Sequence, residues 1–173
     1  MTNGATRKAG VLAAWGLALL SICSPAAADD VDEPRCPPSG YTVVVHTQRH
    51  ELWLCTDGVA AAQFAVAIGR SGVGKRRRGD GRTPLGNYGL GAPRRSEQYG
   101  TFIPIAYPTP EQAARGFTGA AVGIHGPPRG MDATHYPVTA IDWTLGCVAT
   151  GTDEAVDTIA DFVRRRRPRL VIR

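Results

Sequence analysis

The stretch that decides the fold runs from residue 41 to residue 69 and reads YTVVVHTQRHELWLCTDGVAAAQFAVAIG. Two runs rich in β-branched and apolar residues, 41–47 and 50–56, are separated by polar residues, and Asp57 and Gly58 then turn the chain into a third run. Asp-Gly between two such runs is a strong hairpin signal. The pattern therefore predicts three successive antiparallel strands at the start of a mainly β domain.

Downstream of these strands, the sequence predicts more strands and two short helices. Apolar runs indicate strands around Tyr88 and over 101–108, 121–126 and 169–173. Thr109, followed by Pro110, is typical of a helix N-terminus. Thr152 precedes a second helical pattern with acidic residues in its first turn. The whole pattern predicts a β-sandwich or partly closed barrel with one or two short helices.

Upstream of the strands, residues 1–28 have the layout of a secretory signal peptide. Arg7 and Lys8 precede an uncharged apolar run from Val11 to Ile22, and SPAAADD follows, with cleavage expected after residue 28. A finished membrane-spanning helix takes about 20 apolar residues, more than this run contains. An uncleaved anchor is the alternative, and lipid attachment at Cys23 is disfavoured because the preceding isoleucine is bulky. Residues 29–40 are predicted to be a short tether and 41–173 a single domain, exported to the periplasm or cell envelope.

The net charge and two distinctive stretches of sequence give little support to nucleic-acid or nucleotide binding. Without Arg7 and Lys8, 18 basic residues face 15 acidic ones, a net charge of +3 that suits an anionic envelope and is weak support for nucleic acid. The arginine run 164–167 is interpreted as complementing the dipole at the end of the second helix. The stretch GRSGVGKR, residues 69–76, approaches a phosphate-binding loop, but Arg76 stands where that loop needs Ser or Thr.

The cysteines point to one reactive thiol. The exported part contains Cys36, Cys55 and Cys147, and an odd count in an oxidising compartment leaves one thiol unpaired. Cys36 stands before the first predicted strand and Cys55 ends the second, so we expect these two to form a disulfide. Cys147 is then free, and a disulfide that contained it would contradict the catalytic interpretation.

Histidine and cysteine together favour nucleophilic chemistry over metal binding. The four histidines, His46, His50, His125 and His135, show no spacing typical of zinc, so no metal and no cofactor is predicted. A cysteine attacks as its thiolate, which needs a base and nearby backbone N–H groups to stabilise an oxyanion. His125 follows a buried strand and Cys147 follows a glycine, so the two can cooperate if their strands are neighbours. A buried structural cysteine with a core histidine is the alternative.

Three motifs, GDGRTPLGNYGL at 79–90, GIHGPP at 123–128 and DWTLGCVAT at 142–150, resemble the catalytic domain of the L,D-transpeptidases. The resemblance extends from about residue 41 to residue 173. Within the family, the chain is most similar to the branch of exported murein transpeptidases. It implies a two-step acyl transfer on peptidoglycan tetrapeptide stems through a thioester, without a cofactor.

The resemblance also implies individual roles. Cys147 would be the nucleophile and His125 its base, oriented by the carbonyl of Gly126, with Thr144 as the hydroxyl residue of the motif. The N–H groups of Gly146 and Cys147 would form the oxyanion hole. The residues implied for the substrate side of the cleft are Thr83, Pro84, Gly86 and Ala149. Ala149 departs from the family pattern, since many members carry arginine or asparagine there, which puts substrate carboxylate contacts in doubt.

The acceptor in the second step stays open at the level of sequence. Peptidoglycan stems are the implied partners, and a stem amine gives a crosslink, an envelope lipoprotein lysine gives an anchor and water gives hydrolysis. A cysteine amidase that cuts stems or releases lipoprotein is therefore an alternative, as is a non-catalytic envelope-binding domain. We expect a monomer that uses only its signal peptide at the membrane. The loop 127–141, with His135 and Tyr136, is predicted to act as a lid.

Overall fold

The structure is a computed structural model that describes residues 1–2, 36–130 and 138–173. The chain divides into two units, Met1–Val31 and Asp32–Arg173, and the fold below is that of the second. Apart from its first two residues, the predicted signal peptide lies outside the described residues, as do residues 29–35 of the predicted tether. The central part of the predicted lid, including His135 and Tyr136, also lies outside them.

Strands dominate the described part of the chain. In chain order, its elements are β1 Tyr41–His46, β2 Glu51–Thr56, β3 Val59–Ala67, β4 Gly86–Tyr88, β5 Arg94–Ser96, β6 Gly100–Pro104, α1 Pro110–Ala114, β7 Gly123–His125, β8 Val148–Thr150, α2 Asp153–Arg166 and β9 Arg169–Ile172. The three antiparallel strands predicted from residues 41–69 are confirmed as β1, β2 and β3. Both predicted helix starts are confirmed, at Thr109 with a full capping box and at Thr152.

The strands form one curled sheet in the order β4-β9-β1-β2-β3-β8-β7-β6-β5. The curl depends on the nine-residue strand β3, which pairs with β2 along most of its length and with β8 through Val66 and Ala67 at its end. One long strand thus belongs to both halves of the sheet. The prediction of a mainly β, partly closed fold with two short helices is confirmed.

The core lies between the curled sheet and α2. The helix buries Val156, Ile159, Ala160 and Val163, which join apolar side chains from both halves of the sheet in one cluster. The C-terminal turn of α2 carries Arg164–Arg166, where cations complement the helix dipole, as the sequence predicts. The helix therefore closes the open side of the sheet next to the site described below.

Alternate residues of β1 and β2 face opposite sides of the sheet. Val43 and Val45 enter the main core, while Val44 packs with Trp53 in a second, smaller cluster. The predicted disulfide between Cys36 and Cys55 is confirmed and belongs to this second cluster. It ties the segment before β1 to the end of β2 and leaves Cys147 as a free thiol.

Three strands differ from the sequence prediction. Strand β6 ends at Pro104, earlier than the predicted 108, because pairing beyond it is reduced to an isolated bridge between Leu90 and Ile105. Strands β5 and β8 were not predicted, since each has three residues and too little alternation to be recognised. No helix in the part of the chain that the structure describes is long and apolar enough to span a membrane.

Candidate active site

The structure brings His125 and Cys147 together on two neighbouring strands. Strands β7 and β8 are parallel neighbours, with His125 paired in register with Ala149, and Cys147 immediately precedes β8. Both side chains line one cavity of about 490 Å³. The sequence condition for cooperation, that the two strands are neighbours, is therefore met.

A tight turn presents the cysteine. The Thr144 hydroxyl accepts a hydrogen bond from the Gly146 N–H at 3.1 Å and donates one to the Cys147 carbonyl at 2.7 Å. Gly146 has a φ of 126°, and a Cβ there would collide with the carbonyl oxygen of Arg82. Only glycine fits this position, so the Gly-Cys pair is a geometric requirement of the turn.

The cysteine turn is anchored to the end of β3. The Thr144 N–H donates to the Ile68 carbonyl at 3.1 Å, and the Thr144 carbonyl accepts from the Arg70 N–H at 2.9 Å. Asp142, two residues earlier, accepts from the Ile68 N–H at 2.9 Å and lies 3.0 Å from Nε2 of His50. These contacts hold the turn on rigid strands, as a preorganised site needs.

His125 is held in one tautomer and one orientation. Its Nδ1 donates to the Gly126 carbonyl at 2.7 Å, which leaves the Nε2 lone pair free to accept a proton. The imidazole stacks on Tyr99 with ring centroids 3.8 Å apart, and Phe102 and Trp143 flank it at 6.3 and 5.8 Å. Burial among these rings lowers the pKa of His125, and the hydrogen bond to Gly126 opposes that shift only in part. The imidazole is therefore neutral near pH 7.

Cys147 rests as a thiol. Burial raises its pKa, while a hydrogen bond from the Gly123 N–H and the positive charge of Lys75 act in the opposite direction. Its Sγ lies 3.6 Å from the Ala121 carbonyl oxygen, to which the thiol donates. A thiol and a neutral imidazole therefore line the same cavity.

Two cavities meet at the sulfur. Cys147, Leu145 and Ala121 line both the 490 Å³ cavity and a second one of about 290 Å³. The larger cavity is also lined by the following residues: Arg94, Ser96, Gln98, Tyr99, Phe102, His125, Trp143 and Thr144. The smaller one is also lined by the following: Lys75, Arg78, Gly79, Gly119, Ala120 and Val122. An acyl group on Cys147 can therefore be approached from two sides.

The family model of the YkuD L,D-transpeptidase catalytic domain matches residues 40–172. The chain belongs to the L,D-transpeptidase catalytic domain family. The resemblance drawn from the sequence motifs is thereby confirmed. Comparison with curated proteins finds no match.

Solved structures share the fold at low sequence identity. The helical cell shape determining protein Pgp2 of Campylobacter jejuni is 22% identical, with a TM-score of 0.63 over 77% of this chain and 47% of its own. Bd1075 of Bdellovibrio bacteriovorus is 19% identical, with a TM-score of 0.58 over 78% of this chain and 48% of its own. An L,D-transpeptidase of Xylanimonas cellulosilytica is 18% identical, with a TM-score of 0.53 over 81% of this chain and 63% of its own. The chain thus spans about half the length of the first two, and the likeness establishes the fold.

Within this L,D-transpeptidase domain, the residues expected on the substrate side lie elsewhere. Thr83, Pro84, Gly86 and Ala149 are not among the described residues that line either cavity. Thr83 is fully buried, and its hydroxyl accepts from the Gly69 N–H at 2.8 Å. Gly86 pairs with β9, and Ala149 is fully buried in β8. In the structure their side chains or backbone contact the sheet and its neighbouring loop, and their role on the substrate side stays a prediction.

One N–H group of the predicted oxyanion hole already has an acceptor within the turn. The Gly146 N–H is already donated to the Thr144 hydroxyl, so it would have to be shared with an oxyanion. The main contribution of Gly146 is to let the turn pass the Arg82 carbonyl. The N–H of Cys147 itself stays the principal candidate donor.

Sequence reasoning missed several residues of the L,D-transpeptidase site. Tyr99 and Trp143 contact His125, and Lys75 lines the smaller cavity. Trp143 lies inside the cysteine motif, and this position is the one signal in the sequence that could have placed it near the site. Tyr99 lies in the turn between β5 and β6, and it reaches the site because β6 pairs with β7, a contact between distant residues that no local pattern indicates.

The remaining described histidines have other contacts. His46 contacts Trp53 in a tilted arrangement with ring centroids 5.3 Å apart, and His50 pairs with Asp142. Among the described residues, no group of three or more His, Cys, Asp or Glu side chains is arranged to hold a metal ion.

Proposed function

We propose that this protein is a cysteine-dependent L,D-transpeptidase that acts on peptidoglycan tetrapeptide stems in the periplasm or cell envelope. One observation carries the proposal: a free Cys147 and a neutral, tautomer-locked His125 line the same cavity at the ends of two paired strands. Family membership supports the reaction class, since L,D-transpeptidases act on stem peptides.

The first half of the reaction acylates the cysteine. The Cys147 proton moves to Nε2 of His125, and the thiolate attacks the carbonyl carbon of the third stem residue at its L-centre. The oxyanion that forms accepts a hydrogen bond from the Cys147 N–H, with Gly146 as a second, shared donor. The bond to the terminal D-alanine nitrogen then breaks, His125 returns the proton to that nitrogen, and a thioester remains.

The second half passes the acyl group to an acceptor. An amine enters, loses a proton to His125 and displaces the thiolate, which is reprotonated as the cycle closes. The amine of another stem gives a crosslink, a lipoprotein lysine gives an anchor and water gives hydrolysis. Arg94, Ser96 and Gln98 provide the larger cavity with a cation and polar groups suited to carboxylate-bearing stems. The cycle uses no cofactor, and we propose a monomer as the working unit.

Acylation by a carbapenem tests the proposal directly. We expect one stoichiometric adduct in the intact mass of the mature protein and none in Cys147→Ala. His125→Gln should still fold and form the adduct on the order of 100-fold more slowly, because the base is lost. A folded wild-type protein with a free thiol and no adduct would speak for a non-catalytic envelope-binding domain.

Product analysis distinguishes transfer from hydrolysis. Purified muropeptide tetrapeptides are incubated with the enzyme, with and without an added amine acceptor. A transpeptidase gives a crosslinked or amine-capped product and free D-alanine. Stem cleavage that is unaffected by the acceptor would instead identify the cysteine amidase, with the same nucleophile and base.

A further inference from the structure

Lys75 is a buried cation beside the cysteine that the reaction above does not use. Its side chain is only 4% exposed, and it comes from the phosphate-loop-like stretch that the sequence singled out. His125 lines the larger cavity and Lys75 the smaller one, while Cys147 lines both. The sulfur therefore lies between the imidazole cavity and the ammonium cavity.

The ammonium group is fixed in place by its acceptors. Nζ of Lys75 donates to Asp80 at 2.8 Å and to the Arg77 carbonyl at 3.2 Å. Asp80 also accepts from the N–H groups of Arg76, Arg77 and Arg82 at 2.8, 2.9 and 3.2 Å. Burial alone would raise the pKa of Asp80, but these hydrogen bonds outweigh it and hold the pKa well below its usual value. Asp80 is thus a permanent anion that organises the loop.

Two glycines leave space for the ammonium next to the cysteine turn. A Cβ at Gly146, the residue before the cysteine, would lie 3.6 Å from Nζ of Lys75. A Cβ at Gly119 would lie 3.2 Å from Cε of the same lysine. The positive charge therefore lies close to Gly146, the residue before the cysteine, on the side where a side chain at that position would point.

We propose that Lys75, held by Asp80, is a positioning residue that stabilises negative charge on the sulfur of Cys147. This inference rests on the proposed function, in which that sulfur is the nucleophile. The thiol proton goes to His125, while Lys75 keeps its own proton throughout the cycle. Its charge favours the thiolate before attack and again when the thioester is resolved. In a poorly hydrated site, such a charge acts more strongly than at the surface.

The other charged or titratable groups around the sulfur do not replace this contribution. On the imidazole side, His125 is neutral and Tyr99 is a phenol whose pKa is raised by burial. Arg94 also lines that cavity, but its side chain is exposed and solvent screens its charge. On the ammonium side, Arg78 lines the cavity with an exposed side chain, which solvent screens. Asp80 opposes Lys75, but its charge is compensated by three backbone N–H groups as well as by the lysine.

The pH profile of Cys147 alkylation by iodoacetamide tests the inference. The profile is measured between pH 6 and 10 on the mature protein with its disulfide intact. In Lys75→Met, we expect the rising limb to move upward by about one pH unit, which lowers alkylation about tenfold on the acid side. Arg78→Met removes a charge from the same cavity and should move the limb by less than about 0.2 units, because that side chain is exposed.

Asp80→Asn gives a change of the opposite sign. Removing the anion leaves Lys75 uncompensated, so the limb should move to lower pH in this variant. A purely structural role for the ion pair would move both variants in the same direction. The Asp80→Asn variant also provides a second test of the inference if thermal unfolding shows that Lys75→Met does not fold.

The two proposals fail in different ways. An unmoved limb in folded Lys75→Met, with carbapenem acylation of the wild type intact, would overturn the role of Lys75 alone. If the limb is displaced in Lys75→Met but the wild-type protein forms no carbapenem adduct, the proposed function is overturned and the electrostatic coupling between Lys75 and Cys147 stands.

Discussion

At the scale of single residues, the site relies on two backbone carbonyls as much as on the two reactive side chains. The Gly126 carbonyl accepts the Nδ1 proton of His125 and so directs its lone pair at Nε2. The Arg82 carbonyl passes so close to residue 146 that only glycine can stand before the cysteine. Backbone atoms therefore set the tautomer of the base and the path of the turn.

The neutral resting state of His125 predicts how the rate of carbapenem acylation falls at acid pH. Because burial lowers the pKa of His125 below its ordinary 6.5, the imidazole stays neutral under mildly acidic conditions. We expect the rate of carbapenem acylation to hold below pH 6.5 and to fall only as His125 becomes protonated. Stopped-flow acylation rates between pH 4 and 8 measure this, and an acid limb centred above 6.5 would contradict it.

Gly146→Ala should disable the site without unfolding the domain. The added Cβ displaces the cysteine turn from the Arg82 carbonyl, and a shift of about 1 Å in a reacting group costs about 100-fold in rate. Gly116→Ala is the matched control, because it has a φ of 80° but open space around it. Acylation rates of the two folded variants provide the comparison, and equal rates would rule out the steric argument.

At the scale of elements, the disulfide ties the segment before β1 to the end of β2. Cys36 precedes β1 by five residues, and Cys55 is fully buried near the end of β2, on the face away from the main core. The active-site cavities are lined by other elements. The bond therefore affects stability rather than chemistry.

Replacing both Cys36 and Cys55 with alanine should lower the free energy of unfolding by about 3 kcal/mol. Urea denaturation followed by circular dichroism measures the loss. Carbapenem acylation at 25 °C should stay within about twofold of wild type, since the nucleophile and base are untouched. A large loss of acylation in a folded double variant would show that the disulfide supports the site.

At the scale of the whole molecule, β3 and α2 join two half-sheets into one body. Strand β3 pairs with β2 in one half and β8 in the other, and α2 packs against a core drawn from both. Neither half can lose its pairing without exposing apolar surface of the other. We therefore expect a single cooperative unfolding transition for the mature domain.

Two probes in different halves test this cooperativity. Far-ultraviolet circular dichroism reports the whole sheet, and Trp143 fluorescence in a Trp53→Phe variant reports the half with β7 and β8, because Trp143 contacts His125. Their urea midpoints should coincide. A fluorescence transition that precedes the circular dichroism transition would show that the active-site half opens separately.

Much of the fold and the central pair of the site could be predicted from sequence. The three β-branched runs, the turn at Asp57 and the caps at Thr109 and Thr152 are local signals, and each produced the expected element. The motifs identified His125 and Cys147 because a nucleophile and its base need particular neighbours in the chain. Short strands such as β5 and β8 carry too few residues for such a pattern.

The sequence by itself determined the strand-rich class, the disulfide partners, the helix caps and the free thiol with its proposed base, because each depends on residues close together in the chain or on a distinctive spacing. Only the tertiary structure decided what surrounds them. Pairing across the sheet buried Thr83 and Ala149 behind the site and stacked Tyr99 on His125. It also turned Lys75 inward toward the cysteine. These positions depend on contacts between residues distant in sequence, and no local preference encodes them.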